Sequence, residues 1–236
     1  MSVTIRLHHG EIRWIGSEDA DTIRLLTDLG EVSSSVHQSM PIVGPWFEER
    51  IRSELKKRLP SGWAISGPSQ IFDRGSDGIR SRSWDLVIHR QPADDLPPPA
   101  SPSSGYPLLP KEAVAAVIDT KTMFADVEAY ASKNALNLMN DHPGSQLTFL
   151  GNGIRTIILA ASSTISTSKL RERGKKCGMD VFSLGRTKTD PVKFGKDRRW
   201  QMFPEMTPDN EWPLTLFYRT VFEAIERYDR HKPEVF

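Results

Sequence analysis

Apolar residues recur every fourth position from Phe47 through Ile51 and Leu55 to Leu59, which paints one stripe along a helix. Pro45 stands where a helix can open, since its missing N–H is not needed there, and Pro60-Ser61-Gly62 close it. Weak alternation over Val3–Ile15 predicts a short hairpin, and Asp19–Leu29 a short helix. Residues 31–39 are polar and serine-rich, a connection. Trp63–Phe72 alternates with the period of a strand, Asp73–Ser83 is a Gly- and Ser-rich turn region, and Trp84–His89 is a short apolar strand. Residues 91–110 are proline-rich and read as a loop that cannot pair as a central strand. Ala113–Lys121 is an almost unbroken apolar run, the pattern of a strand covered on both faces. There follow a helix over Ala125–Asn140, a strand over Arg155–Ala161, a basic helix over Thr164–Lys176, a strand over Met179–Leu184 and a closing helix over Leu214–Tyr228.

That order predicts an α/β fold. Three successive strands make a meander, and the later strand–helix–strand portion favours a parallel crossover. The result is a mixed central sheet with helices on both faces. The 236 residues suffice for a core without staples. One cysteine, Cys177, excludes an internal disulfide and a cysteine-rich zinc site, and is read as structural. A reducing, cytoplasmic setting is expected. The first ten residues lack the apolar segment of a signal peptide, and no run approaches the ~20 residues a membrane span needs.

Charge changes the picture in one place. The net charge is +1, yet residues 169–199 hold eleven Lys/Arg against four Asp/Glu. Lys169, Arg171, Arg173, Lys175, Lys176, Lys196, Arg198 and Arg199 are therefore candidates for holding a nucleic acid backbone, with Trp200 available to stack on a base.

Two short pieces carry chemistry: Trp84-Asp85-Leu86-Val87-Ile88 and Val117-Ile118-Asp119-Thr120-Lys121. Each puts a carboxylate in an apolar strand, where an unpaired charge is costly and calls for a partner or a cation. Residues two apart on a strand share a face, so Asp119 and Lys121 point together and the Thr120 side chain points away. Two carboxylates and the Thr120 backbone carbonyl can hold Mg²⁺, or Mn²⁺, through oxygen. Such a metal activates water and offsets phosphate charge, and a nearby lysine can act on the attacking water. The bland alternatives are an Asp119–Lys121 ion pair that ties down a strand end, and an Asp85 that pairs with Arg82 or Arg80 in a turn. Elsewhere, His37 reads as structural, His8 and His9 lack a third zinc ligand, and Gly151-Asn152-Gly153 is a turn rather than a phosphate loop.

Asp85 followed by Asp119-Thr120-Lys121, 34 residues on, resembles the motif of the PD-(D/E)XK, restriction-endonuclease-like nucleases. The wider stretch is similar to a bacterial branch of that superfamily recorded as a domain of unknown function. The likeness runs through His37, Gly44-Pro45-Trp46-Phe47-Glu48, Leu59-Pro60, Gly78, Ser81-Arg82-Ser83-Trp84-Asp85 and Ala116–Lys121. Asp119 stands where Glu is commoner, and Ser83 where a glutamine often precedes the catalytic Asp. The resemblance implies a restriction-endonuclease-like core over 37–185, an N-terminal extension over 1–36, and a basic segment with a closing helix over 186–236. It also implies a helix-borne acid beside the metal. At about 100° per residue Glu48 falls inside the apolar stripe and Glu49 on the solvent side, so Glu48 is the candidate. The implied activity is metal-dependent cleavage of DNA by Glu48, Asp85, Asp119 and Lys121, in an anti-phage defence system, as a homodimer or a subunit of a larger complex. A catalytically inactive scaffold and an RNA-cleaving toxin are the alternatives.

Overall fold

Side chains alternate along the central strands so that both faces of the sheet need cover, and helices supply it. The computed structural model describes residues 4–7, 10–13, 24, 25, 28, 40–74, 80–91, 106–135, 149–151, 153–187, 202–204 and 212–231. In chain order these include β1 (Thr4–Leu7), β2 (Gly10–Arg13), α1 (Met40–Lys56), β3 (Trp63–Ser66), β4 (Gln70–Phe72), β5 (Leu86–Arg90) and β6 (Leu108–Pro110). Then come β7 (Val114–Met123), α2 (Val127–Ala135), β8 (Arg155–Ser163), α3 (Thr167–Lys176), β9 (Asp180–Thr187), β10 (Met202–Pro204) and α4 (Pro213–His231). Arg24, Leu25 and Asp28 are helical, within the expected early helix.

Six strands form the main sheet in the order β10-β9-β8-β7-β5-β3. The pairs β3–β5 and β5–β7 are antiparallel, the meander expected, and β7–β8 and β8–β9 are parallel crossovers through helices. On one face Leu86, Ile88, Ala116, Ile118, Ile157 and Leu159 pack with Phe47, Ile51 and Leu55 of α1 and with Phe217 and Val221 of α4. On the other, Ile158, Ala160 and Val181 meet Val127 of α2 and Leu170 of α3, while Val87 and Val117 lie under Ile71, Leu109 and Phe149. Each fully buried Val, Leu, Ile or Phe among these contributes about 1.5–3 kcal/mol.

Three expectations need correction. The strand expected over Trp63–Phe72 is two strands in different sheets, for β4 pairs in parallel with β6. The break falls at Gly67-Pro68, where proline has no N–H to give the ladder. Residues 91–110 are not all loop either: Leu108–Pro110 form β6, a short strand of a two-stranded sheet where the closing proline is tolerated, and 92–105 lie outside the described residues. Finally, Pro45 lies inside α1, which begins a turn earlier at Met40. The helix forgoes the one bond Pro45 would have given.

The closing helix belongs to the same sheet. Tyr228 Oη donates to the Glu112 carbonyl at 2.5 Å, and Arg90 pairs with Asp229 at 2.6 Å. No helix among the described residues is long and apolar enough to cross a membrane.

Candidate active site

The register of β5 on β7 explains why two acids 34 residues apart meet. Leu86 pairs with Ile118 and Val87 with Val117, so one further step sets Asp85 opposite Asp119. Directly opposed side chains on antiparallel strands share a face. At that step the strands part. Trp84 leaves β7 and bridges Ser69 through two backbone hydrogen bonds. The Asp85 carboxylate fills the fork and accepts the Thr120 N–H at 2.7 Å, a bond the continued ladder would otherwise have made.

The Thr120 hydroxyl also reaches Asp85 Oδ2, at 3.1 Å. Alternation alone sent that side chain the other way. Because Asp85 sits at the fork, at the edge of the ladder, it is within reach from there.

Asp119 is almost wholly buried, with 1% of its side chain exposed. Its Oδ2 collects three donors: Arg82 Nη2 at 2.9 Å, Lys121 Nζ at 2.9 Å and the Tyr130 hydroxyl. Its Oδ1, equally buried, receives no donor among the described residues. Lys121 Nζ lies among three oxygens, at 2.9 Å from Asp119 Oδ2, 3.1 Å from the Thr120 carbonyl and 3.9 Å from Asp85 Oδ2. The ion pair named as the bland alternative is therefore present, but it is one edge of a larger cluster. The other alternative is corrected: Arg82 bonds Asp119 rather than Asp85, because its side chain lies over the Trp84 indole, with Cζ 4.1 Å from the ring centre, and is aimed at β7.

Electrostatics separate the two acids. Burial, then the Asp119 charge, push the Asp85 carboxyl up to about 7. Burial works against ionising Asp119 too, but Lys121 and then Arg82 outweigh it and hold that carboxyl at about 2. The two groups hydrogen-bond to each other when one is protonated, and such a proton belongs to the pair. Burial and the Asp119 charge raise the Tyr130 phenol, so it stays a donor.

Glu48 is half-buried and Glu49 exposed, in line with the helical wheel. Burial raises the Glu48 carboxyl, with Arg52 opposing and the charges of Asp119 and Lys121 also felt. Glu48 thus lies within the field of Asp119 and Lys121. Its helix, however, covers the opposite face of the sheet from Tyr130, and no group of three His, Cys, Asp or Glu among the described residues is placed to hold a metal ion.

The residues at the fork fit a divalent cation on two grounds. A buried carboxylate oxygen has no donor, and three oxygens already converge on one positive group, the Lys121 ammonium. A small hard cation competes for the same oxygens. Arg82 and Tyr130 were missed by sequence reasoning as members of the site. Arg82 lay inside a quoted motif, and its i, i+2 relation to Trp84 was a usable signal; Tyr130 carried none.

Among the basic candidates, α3 buries Thr167, Leu170 and Gly174 against the sheet, leaving Lys169, Lys175 and Lys176 exposed. Arg173 pairs with Glu128 of α2 at 3.6 Å, Lys176 pairs with Glu172 at 2.8 Å, and Arg171 lies over Phe182. Since α2 carries Tyr130, the basic helix stands next to the element that flanks the acidic pair. Lys196, Arg198, Arg199, Trp200 and His37 lie outside the described residues.

No family model and no curated protein matches the chain. Among solved structures, NucC of P. aeruginosa ATCC27853 in its cAAA-bound form superposes with a TM-score of 0.53 at 13% identity, over 92% of this chain and 98% of that one. NucC of E. coli MS115-1, also cAAA-bound, gives 0.53 at 14% identity over 92% and 98%. At these identities the likeness is one of fold: the mixed α/β sheet with helices on both faces is shared.

Proposed function

We propose that this chain is a divalent-metal-dependent phosphodiesterase, acting as a DNA endonuclease in a bacterial anti-phage system. The observation that carries the proposal is the meeting of Asp85 and Asp119 at a strand fork with the Lys121 ammonium among their oxygens. The fold shared with NucC supports it.

Asp85, Asp119 through Oδ1 and the Thr120 carbonyl would hold Mg²⁺ or Mn²⁺. Once bound, that ion supplies a lowered pKa for water and offsets charge on the phosphate. The remaining roles belong to the chain. Lys121 stands beside both acids, where its ammonium orients the attacking water and offsets charge on the phosphate oxygens. Glu48, coupled to Asp119 and Lys121 through its field, positions a water or further ligand from α1. Lys169, Arg171, Arg173, Lys175 and Lys176, with Lys196, Arg198 and Arg199, hold the backbone of the nucleic acid. A second copy, as a homodimer or within a larger complex, supplies the cut on the other strand.

The test is cleavage of duplex DNA, single-stranded DNA and tRNA by purified protein in Mg²⁺, Mn²⁺ or EDTA. Because the NucC neighbours carry cAAA, that nucleotide is the first ligand to add. Duplex cleavage in metal is expected, lost on Asp85→Ala, Asp119→Ala or Lys121→Ala with the fold retained by circular dichroism. Cleavage of tRNA alone points to a toxin. Undiminished cleavage by Asp119→Ala overturns the mechanism, and no cleavage of any substrate favours a scaffold.

A further inference from the structure

The donors around Asp119 are distributed unevenly. Three of them converge on Oδ2, and no nitrogen or hydroxyl donor reaches Oδ1 among the described residues, which leaves it only the proton shared with Asp85 in the metal-free state. If the cluster served only to neutralise a buried charge, spreading donors over both oxygens would be cheaper. A buried acceptor left without a donor costs about 1–3 kcal/mol. The arrangement makes sense if Oδ2 is the oxygen the protein holds and Oδ1 the one it offers.

We propose that Arg82 and Tyr130 are positioning residues that clamp Asp119 by Oδ2 so that Oδ1 is presented to the divalent cation. The inference rests on the metal-site reading above and adds two residues to it. The clamp is itself braced. Arg82 stacks on the fully buried Trp84 indole and donates through Nη2 both to Asp119 Oδ2 at 2.9 Å and to the Tyr130 hydroxyl at 2.5 Å. The Tyr130 ring stands edge-on to Phe124, with centres 5.4 Å apart. A ligating carboxylate whose second oxygen is hydrogen-bonded is an ordinary requirement of metal sites, and loss of such an outer partner typically costs ten- to a hundredfold in metal affinity.

The chain order explains how one segment serves twice. Arg82, Trp84 and Asp85 lie in the short segment that leads into β5 and parts from β7 at the fork. Asp85 faces Asp119 from there, while Arg82 turns back to grip it. Lys121 takes no part in the clamp, because its ammonium also contacts Asp85 and the Thr120 carbonyl and competes with the cation.

The experiment measures Mn²⁺ affinity of the full chain by electron paramagnetic resonance, with melting in EDTA alongside. Tyr130→Phe removes only the hydroxyl and Arg82→Lys keeps the charge but not the fork. Each is expected to weaken Mn²⁺ ten- to a hundredfold. Val221→Ala opens a cavity in α4 on the opposite face of the sheet, away from the clamp, and is expected to lower the melting temperature while leaving Mn²⁺ affinity unchanged. If Arg82→Lys fails to fold, Tyr130→Phe decides. Wild-type affinity in the clamp variants, with Mn²⁺ binding abolished by Asp119→Ala, overturns the clamp and leaves the metal site standing. Equal weakening by Val221→Ala also overturns it, reducing the effect to general destabilisation. A wild-type chain that binds no Mn²⁺, or an Asp119→Ala variant that binds it unchanged, removes the metal site and the clamp together.

Discussion

Replacing Asp85 with asparagine is expected to destroy the proposed activity and yet to stabilise the metal-free protein above neutral pH. Asp85 has a raised carboxyl, at about 7 against an ordinary 3.8, with burial the first cause and the Asp119 charge the second. The folded state therefore holds that proton more tightly than the unfolded chain. Stability is unaffected where both states are protonated, below about pH 4, and is lost as pH rises through the window from 3.8 to about 7. Once the group is ionised the loss is about 4 kcal/mol. At pH 5 less than half of it has been incurred. Asparagine carries no charge, keeps an oxygen for the Thr120 N–H, and has an amide donor to stand in for the Asp85 proton toward Asp119. Part of the depression of Asp119 comes from its bond to Asp85, a contribution the new amide replaces.

The assay is urea unfolding followed by tryptophan fluorescence, in EDTA, at pH 5 and pH 8. The variant should exceed wild type by about 2–4 kcal/mol at pH 8, and the advantage should shrink by roughly 2–3 kcal/mol at pH 5. Saturating Mg²⁺ should close most of that gap. Wild type gains about 2.7 kcal/mol at a hundred times Kd, and the variant gains little. A variant that is no more stable than wild type at pH 8 in EDTA would show that neither burial nor the Asp119 charge strains an ionised Asp85 at the fork, and the case for a built cation site would fail with it.

Other consequences are equally direct. Gly174 lies in α3 where an added Cβ would stand 2.6 Å from Val181 Cγ2 and 2.8 Å from the Met179 carbonyl; Gly174→Ala should cost about 1–3 kcal/mol in urea unfolding, the clash outweighing a gain of up to about 1 kcal/mol in helix propensity. His89 is buried, donates Nδ1–H to the Arg90 carbonyl at 2.8 Å and accepts from Ser66 Oγ at 2.8 Å, and burial lowers its pKa below 6.5. The folded state thus resists protonation, so this stability is present above 6.5 and is lost as pH falls through that value; melting temperatures between pH 7.5 and 5 should fall less steeply in His89→Gln than in wild type. Lys169→Ala and Lys175→Ala, both on the exposed side of α3, should each reduce the slope of log affinity against log salt for duplex DNA by about 1, read by fluorescence anisotropy; an unchanged slope would remove α3 from the DNA-binding surface.

Much of this was legible from residue types alone. The apolar stripe Phe47–Leu55, the unbroken run into Asp119 and the two-residue step from Asp119 to Lys121 encode a helix face, a doubly covered strand and a shared direction. These are local periodicities, set by backbone geometry that does not depend on the rest of the fold. The break at Gly67-Pro68 was misjudged because apolar alternation continues across it, and the proline's missing donor matters only once neighbouring strands are known.

The meeting of Asp85 with Asp119 was written in the two strands, but their pairing register was not. That register depends on how β5 and β7 align across a long connection and on where Trp84 abandons one partner for another. The same holds for Arg82 and Tyr130, which come from different elements and converge on a single oxygen. Pairwise distance between remote segments is a property of packing, and periodicity carries no information about it. Composition and pattern therefore decide which residues can do chemistry here, while tertiary structure alone decides which of them share a proton, and which oxygen is left to offer.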